Sequence, residues 1–267
     1  EDNLPSMLSS DEIVAPICRY RRWRPRGTQA STPELSLPPT FRPAFFISGG
    51  NTGADSIPFT VYERLGVGLR GYLPEGFRRA DGCGEAIAKR HGLWEGQGSH
   101  KWRDTANAGL SDALVAFLSS APMTGRGTMS TVNVFVNGRH HFVELQQPED
   151  GSDVLLLEPE EQTVASSGAD GQTTENTGLD FKYSHAYPKH PITQDSKGRR
   201  NIFTKRPVLV FWDLREDRLR EHAAVLRAFL QRHRPENLMF SGPLETTYPG
   251  IEELGAALLL RALGEEP

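Results

Sequence analysis

Three times along the chain, a short apolar run ends in a glycine-rich turn and a segment of helical length follows. Short apolar runs closed by glycine are typical of buried strands. Strand, turn and helix repeated in this order predict a Rossmann-like, doubly wound α/β domain with a mainly parallel sheet. The runs lie at 44–47, 111–117 and 237–241. Their turns lie at 48–55, at 122–128 and at 241–245, the last followed by Pro249-Gly250 before a helix.

Other segments complete this α/β pattern. Residues 130–136 are rich in β-branched side chains, which favour a strand. They follow a strand and a glycine turn, however, and that position predicts a helix. Apolar spacing and turn residues predict further helices at 55–65, 217–233 and 249–263, and further strands at 66–73 and 208–213.

Two regions depart from the α/β pattern. Residues 1–43 are rich in proline and arginine and predict an extended arm, which leaves 44–267 as the folded domain. Residues 146–206 predict a long charged insertion in that domain. Its charges are all acidic from 146 to 181 and mostly basic afterwards, so the two blocks can pair with each other or contact a partner. Within it, 154–157 is predicted to pair with 142–145 as a hairpin.

Composition excludes several classes of protein. A net charge of −4 argues against a protein that coats nucleic acid with its whole surface. With two cysteines, the chain has neither a disulfide framework nor a cysteine-rich zinc site. No apolar stretch approaches the roughly 18 residues that span a bilayer, so no membrane partner is expected. The histidines form no metal pattern, and no metal site is predicted.

The glycine turns are the candidate binding loops, because ligands of open parallel sheets bind beyond the carboxyl ends of the strands. Glycines let a ligand approach the backbone, and the helix that follows offers free N–H groups. Each turn can equally be only a tight connection, and none matches a dinucleotide fingerprint or a phosphate loop. The candidate contacts are Gly49, Gly50, Asn51, Thr52, Gly53 and Asp55 in the first loop, Thr124, Gly125, Arg126, Gly127 and Thr128 in the second, and Gly242 and Glu245 in the third.

Three stretches in a fixed order carry a family resemblance. Residues 47–55 read Ile-Ser-Gly-Gly-Asn-Thr-Gly-Ala-Asp and continue through 71–76 to Asp-Gly at 81–82. Residues 103–128 end in Pro-Met-Thr-Gly-Arg-Gly-Thr, and 242–251 contain Gly-Pro-Leu-Glu and Pro-Gly-Ile. This set resembles the molybdenum cofactor carrier family and, more distantly, the lysine-decarboxylase-like nucleotide-binding proteins. The likeness covers roughly residues 44–137 and 207–263 and leaves out the arm and the insertion.

The resemblance implies a Rossmann-like fold that binds molybdenum cofactor, a phosphorylated pterin, without known chemistry on it. The sequence departs from the family at Asn51, where Gln is usual, and at Ser56 and Leu244, where Arg is common. Two cations are thus missing from an edge that is expected to hold an anion. Arg126, which is inserted in the second loop, can replace one of them, or it can be surface decoration.

Other candidate groups give weaker evidence of function. Five acids are predicted near the carboxyl edge, and a pair of them can serve as general acid and base, but no second catalytic signature accompanies them. The chain is therefore interpreted as a binding protein rather than an enzyme. Cys83 is expected to be buried and inert. The acids are Asp55, Asp81, Asp104, Asp112 and Glu245.

The arm contains a basic-aromatic run suited to RNA, since arginines pair with phosphate and aromatic rings stack on bases. It can equally be a solvated tail or the remains of an arginine-rich targeting peptide, which points to a mitochondrial rather than a cytoplasmic protein. The residues of this run are Arg19, Arg21, Arg22, Trp23, Arg24 and Arg26.

Two functions of different class follow from these features. The first is non-catalytic binding of molybdenum cofactor or another phosphorylated ligand at the glycine loops. The second is a structural subunit of a large assembly, such as a mitochondrial ribonucleoprotein, which keeps the fold as a scaffold with a degenerate, empty site. In the second case, protein and RNA partners bind the arm and the insertion.

Overall fold

The central sheet, seen in a computed structural model of the chain, has six strands in the order β2-β1-β10-β7-β9-β8. The structure describes residues 40–119, 126–137, 145, 147, 152–158 and 206–265. The strands are β1 (Phe45–Ile47), β2 (Gly68–Arg70), β3 (Tyr72–Leu73), β4 (Arg78–Arg79), β5 (Gly82–Cys83), β6 (Trp94–Glu95), β7 (Ala113–Leu118), β8 (Val154–Leu157), β9 (Val208–Trp212) and β10 (Asn237–Ser241). The helices are α1 (Ile57–Leu65), α2 (Glu85–His91), α3 (His100–Leu110), α4 (Arg126–Asn137), α5 (Leu219–His233) and α6 (Ile251–Ala262).

Five of the six strands run parallel, and β8 runs antiparallel to β9 at one edge. Outside the central sheet, β3 pairs with β6, and β4 forms a short hairpin with β5. This mixed α/β architecture with a mainly parallel sheet confirms the Rossmann-like prediction. Among the described helices, none is long and apolar enough to cross a membrane.

The sheet is buried on both faces, which explains why its strands are almost continuously apolar. Successive side chains of a strand point to opposite faces, so Phe46 joins one hydrophobic cluster and Ile47 the other. The first cluster is covered by α1, α5 and α6, and the second by α3 and α4. The domain therefore has three layers.

The change of face between neighbouring strands marks the position of a binding crevice. After β10 the chain enters α6 on one face of the sheet, whereas α4, the helix that follows β7, lies on the other face. β10 and β7 are neighbours in the sheet. Such a switch point opens a crevice at the carboxyl ends of the strands, where ligands of this fold class bind.

Two element predictions need correction, and a third is confirmed. The single strand expected at 66–73 is two strands, because Gly71 adopts a φ of 141° and Tyr72 donates its N–H to Asn107 Oδ1 (2.8 Å) instead of continuing the ladder. Residues 130–136 do form a helix, as position predicted. The preceding turn does not reach residue 128, since α4 already includes Arg126 and its Gly127 carbonyl accepts a bond from Thr131 (3.1 Å).

Part of the region predicted as an insertion belongs to the central sheet. Residues 154–157 are β8, and its partner is β9. The hairpin expected with 142–145 falls mainly outside the described residues. Covering the edge of β9 with an apolar strand leaves fewer unpaired backbone groups exposed.

Both ends of β8 are fastened to α5 by the same types of side chain. Asp153 lies 2.6 Å from Arg218 Nη1 and 3.0 Å from His222 Nε2. At the other end, Glu158 lies 2.8 Å from Arg232 Nε and 2.9 Å from His233 Nε2. Burial, opposed by the nearby carboxylates, lowers the pKa of both histidines. This edge is held by ion pairs as well as by the strand ladder.

Candidate functional site

The first glycine loop, residues 48–53, leaves the carboxyl end of β1 in a tight turn. Ser48 Oγ accepts a hydrogen bond from Gly50 N–H (3.0 Å) and donates one to the Asp55 carbonyl (2.6 Å). Gly50 and Gly53 have φ values of 73° and 79°, a region that favours glycine. The loop then enters α1 through a 3₁₀ turn at Gly53–Ser56.

The β4–β5 hairpin is fastened against this loop. Asn51 Oδ1 accepts hydrogen bonds from Thr52 N–H (3.1 Å) and from Ala80 N–H (2.8 Å). Arg79 donates to the Gly50 carbonyl (2.6 Å), and its guanidinium also pairs with Asp81 (2.8 Å). The Asn51 side chain therefore holds the shape of the loop, while its backbone N–H has no acceptor among the described residues.

Three polar groups of the first loop have no hydrogen-bond partner within the described part of the chain. They are the backbone N–H groups of Gly49 and Asn51 and the hydroxyl of Thr52, whose oxygen is buried. A buried polar group without a partner costs about 1–3 kcal/mol. Such groups at the carboxyl edge of a parallel sheet are suited to hold the oxygens of a ligand.

A buried ion cluster lies directly beneath this loop. Arg103, on α3, donates to the Gly49 carbonyl (2.9 Å) and pairs with Asp55 Oδ2 (2.6 Å) and Asp104 Oδ1 (2.7 Å). Its Nε is buried and has no partner among the described residues. A side chain on Gly49 would collide with the guanidinium, so the glycine is needed for the loop to rest on the cluster.

Burial and mutual attraction shape the charges of the cluster. Burial raises the pKa of Asp104 to about 6, a shift that Arg103 opposes and Asp55 assists. Burial alone would lower the pKa of Arg103, but Asp104 and Asp55 outweigh it and raise that pKa instead. His100, at the start of α3, has its pKa lowered by burial and by Arg103, with Asp55 opposing. The guanidinium is thus permanently charged, whereas Asp104 titrates near neutral pH.

In the third loop, residues 242–250, carboxylates of the loop and of α6 accept the hydrogen bonds of nearby backbone N–H groups. Glu245 accepts hydrogen bonds from the N–H groups of Gly250 and Glu252 (3.2 Å for the latter), at the amino terminus of α6. Glu252 reaches back to the first loop, where its Oε1 accepts from Gly53 N–H (2.6 Å). The Gly250 and Glu252 N–H groups, which were expected to bind an anion here, are therefore already satisfied by the chain itself.

The two loops are also joined backbone to backbone. Ala54 N–H donates to the Pro243 carbonyl (3.1 Å), and a Cβ on Gly53 would lie 2.3 Å from that same oxygen. Gly242 packs as closely against Ala54, with 2.5 Å between its ideal Cβ position and the alanine Cβ. The structure thus brings the predicted residues of the first and third loops together at one edge.

Of the second loop, Thr124 and Gly125 lie outside the described residues. Arg126, Gly127 and Thr128 form the start of α4, where Thr128 is buried and the other two are exposed. They were expected in the turn itself, so this part of the prediction is wrong, although a helix start still presents N–H groups.

The candidate acids separate into different places. Asp55 and Asp104 meet at Arg103, and Glu245 caps α6. Asp81 lies in the exposed hairpin, paired with Arg79. Asp112 is at the opposite, amino edge, where its Oδ2 accepts bonds from Asn237 and so joins the starts of β7 and β10. It precedes its strand, which excludes it from the carboxyl edge.

Two further expectations concern single residues and metals. Cys83 is exposed on β5, because the short hairpin has no core side, so the expectation that it is buried is wrong. Where the structure describes the chain, no group of three or more His, Cys, Asp or Glu residues could hold a metal ion. The arm residues Arg19, Arg21, Arg22, Trp23, Arg24 and Arg26 lie outside the described residues.

Sequence patterns missed several residues of this edge. Glu252 stands in the first turn of a helix, where an acid is usually read only as favourable to the helix dipole. His100 opens α3, and a lone histidine there carries no motif. Asp213 follows β9 with a φ of 45°, an uncommon conformation for a residue other than glycine. None of these signals is specific enough to find the site from sequence.

Comparison with known proteins supports the fold. A scan of protein-family models finds no match, and a search of curated proteins finds none either. A solved structure described as "Putative molybdenum carrier protein", from Syntrophus aciditrophicus SB, matches with a TM-score of 0.50 and 17% sequence identity, over 84% of this chain and 97% of that one. The chain and this protein are therefore distantly related at the level of the fold.

Proposed function

We propose that this chain binds a small phosphorylated ligand, such as molybdenum cofactor, at the first glycine loop without transforming it. The observation that carries the proposal is a set of donors there without partners among the described residues: the Gly49 and Asn51 N–H groups and the buried Thr52 hydroxyl. Converging N–H groups at the carboxyl edge of a parallel sheet are the usual receptors for phosphate oxygens.

Two further observations support this ligand class. The loop lies beside the switch between β10 and β7, where ligands of doubly wound sheets bind. The name of the related structure includes a molybdenum carrier, which suggests a cofactor of that kind. Arg103 adds a permanent positive charge below the loop, although two carboxylates share it.

The test is chemical analysis of what the chain carries. The protein is purified from its native source, denatured, and the released small molecules are assayed by mass spectrometry for phosphorus and by fluorescence for pterin. We expect about one phosphorylated molecule per chain. Thr52→Val, which loses one of the contacts, should retain less of it. Thr247→Val, which removes an exposed hydroxyl of the third loop, should retain it. A wild-type chain that releases no phosphorylated compound, and takes up no added molybdenum cofactor, would overturn the proposal.

A second candidate is a scaffold subunit of a larger assembly, such as a mitochondrial ribonucleoprotein. The observation that favours it is that Glu245 already satisfies the Gly250 and Glu252 N–H groups at the start of α6, and that Glu252 satisfies the Gly53 N–H of the first loop. Native mass and absorbance separate the two functions. A particle near the 29.6 kDa of the chain with a bound cofactor supports the carrier, and a much larger particle that contains RNA supports the scaffold.

A further inference from the structure

The ion cluster under the first loop contains one more negative charge than positive. When both carboxyls are ionised, Asp55 and Asp104 together face the single guanidinium of Arg103. The Arg103 side chain is 9% exposed, and those of Asp55 and Asp104 are 11% and 16% exposed. Because so little water screens them, the excess charge acts strongly on nearby groups.

The cluster is in direct contact with the loop that is proposed to bind the ligand. Arg103 Nη1 is shared between the Gly49 carbonyl and Asp55 Oδ2, at 2.9 Å and 2.6 Å. Gly49 also carries one of the open N–H groups. An oxyanion held by that N–H therefore approaches a cluster whose net charge opposes it.

We propose that the first loop binds an oxyanion together with one proton, which is taken up by Asp104. This inference rests on the proposed function and adds a condition to it. With Asp104 protonated, Arg103 and Asp55 balance each other, and the repulsion of the incoming anion is removed. The buried Nε of Arg103, which has no partner among the described residues, is a further sign that the cluster is incomplete without a ligand.

Asp104 rather than Asp55 is the group that takes the proton. Burial raises the pKa of Asp104 to about 6, with Asp55 adding to the rise and Arg103 opposing it. Asp55 is the more firmly held, since the guanidinium nitrogen that it contacts also fixes the loop. The other charged groups near the cluster and the loop are His100, whose pKa Arg103 and Arg78 lower, Arg79, which donates to the Gly50 carbonyl, and Glu252, which accepts from Gly53 N–H.

The sign of the pH dependence follows from linkage. An anion bound at the loop raises the pKa of Asp104 further, so binding takes up a proton at pH values between the pKa of the free protein and that of the complex. Affinity should therefore be highest below about pH 6 and should fall as the pH rises through the pKa values of the free and bound states.

Sulfate is the appropriate probe, because its charge stays constant over the range in which phosphate itself titrates. Sulfate binding to the full chain is measured by calorimetry at about pH 5 and about pH 8, and also at about pH 6.5 in buffers that differ in ionisation enthalpy, so that proton uptake is read directly there. We expect roughly tenfold tighter binding at the lower pH, within the range usual for coupled sites. Proton uptake should appear between the two pH values.

Three variants test whether the pH dependence of sulfate binding comes from Asp104. Asp104→Asn should bind sulfate at about pH 8 as tightly as the wild type does at about pH 5, with no proton uptake. His100→Gln should keep the pH dependence, which separates the effect of Asp104 from that of the histidine at the start of α3. Asp217→Asn, an exposed acid of the turn before α5, is the control and should behave as wild type.

If Asp104→Asn fails to fold, as judged by thermal unfolding, Asp55→Asn serves in its place. Removing the Asp55 charge leaves Asp104 alone with Arg103, lowers the pKa of Asp104, and should weaken the pH dependence. Sulfate binding that is unchanged between the two pH values, or a pH dependence that survives in Asp104→Asn, overturns the proton coupling and leaves the proposed function standing. Absence of sulfate binding at both pH values overturns the proposed function as well.

Discussion

The first and third glycine loops leave neighbouring parallel strands at the same edge, yet they treat their backbone donors in opposite ways. In the first loop, Gly49 and Asn51 keep N–H groups without acceptors in the described structure. In the third, Glu245 occupies the corresponding groups at the start of α6. A glycine turn before a helix therefore does not by itself make an anion site. What decides is whether a side chain of the same chain already fills the position.

This difference also explains how the carboxyl edge stays stable without the two arginines that are common in the family that the sequence resembles. The third loop has Leu244 where an arginine is usual, and its helix start is neutralised from within by Glu245. The first loop depends instead on Arg103, which comes from a different helix. Each of the following changes makes one loop resemble the other or breaks the junction between them.

The largest effect is expected from breaking the junction with Gly53→Ala. The new Cβ would lie 2.3 Å from the Pro243 carbonyl and 2.5 Å from the Glu245 nitrogen, and neither backbone atom can move without separating the loops. The free energy of unfolding should fall by about 3 kcal/mol or more. Urea denaturation followed by circular dichroism measures this change.

Gly250→Ala is the matched control for this substitution. Gly250 also has a positive φ, 84°, but nothing lies within 4 Å of its added Cβ. It should cost only about 1–2 kcal/mol, the strain of a left-handed residue. Equal losses in the two variants would mean that backbone conformation, and not contact between the loops, sets the requirement for glycine.

A smaller effect is expected from emptying the third loop with Glu245→Ala. Loss of the carboxylate leaves the Gly250 and Glu252 N–H groups without acceptors and should lower the free energy of unfolding by about 1–2 kcal/mol. Because the vacated position then resembles the first loop, sulfate should restore part of the loss. Thermal unfolding with and without sulfate measures both.

Glu253→Ala provides the comparison for that experiment. Glu253 is exposed in the same first turn of α6, so its removal should cost only about 0.3–0.5 kcal/mol through the helix dipole. Sulfate should stabilise it no more than it stabilises the wild type. A Glu245→Ala chain that is as stable as Glu253→Ala would show that the cap contributes little.

The fold could be predicted from sequence because its signals are local. Apolar runs that end in a glycine-rich turn, such as 44–47 before Ser48-Gly49-Gly50, can be recognised as buried strands from the run and its turn alone. The order of strand, turn and helix also predicted correctly that 130–136 is a helix, although its β-branched residues favour a strand. The broken strand at Gly71 was missed because Asn107, 35 residues beyond Tyr72, captures the N–H that the ladder would have used.

The candidate site could be predicted only in part, because its decisive contacts are distant in the chain. The loop residues themselves were identified, but Arg103 reaches Gly49 across 54 residues and Glu252 reaches Gly53 across 199. Asp112 was placed at the wrong edge because it lies near a strand whose direction decides which end it occupies. Which donors are open and which are filled depends on these long-range contacts, and no local pattern encodes them.

The smallest effect on stability, and the sharpest separation of the two loops, is expected from Thr52→Val. The Thr52 hydroxyl oxygen is buried and has no partner in the described structure, so replacing it with a methyl group of similar shape should not lower the free energy of unfolding of the ligand-free chain and should raise it if anything. Sulfate affinity should nevertheless fall about fivefold, the loss of roughly one hydrogen bond. Ser56→Ala is the opposite case, because that hydroxyl already donates to the Asn51 carbonyl (2.6 Å). It should cost about 1 kcal/mol of stability and, if the loop keeps its shape, leave affinity nearly unchanged. If Thr52→Val instead destabilises the chain and leaves sulfate binding intact, the hydroxyl is structural, and the first loop is as closed as the third.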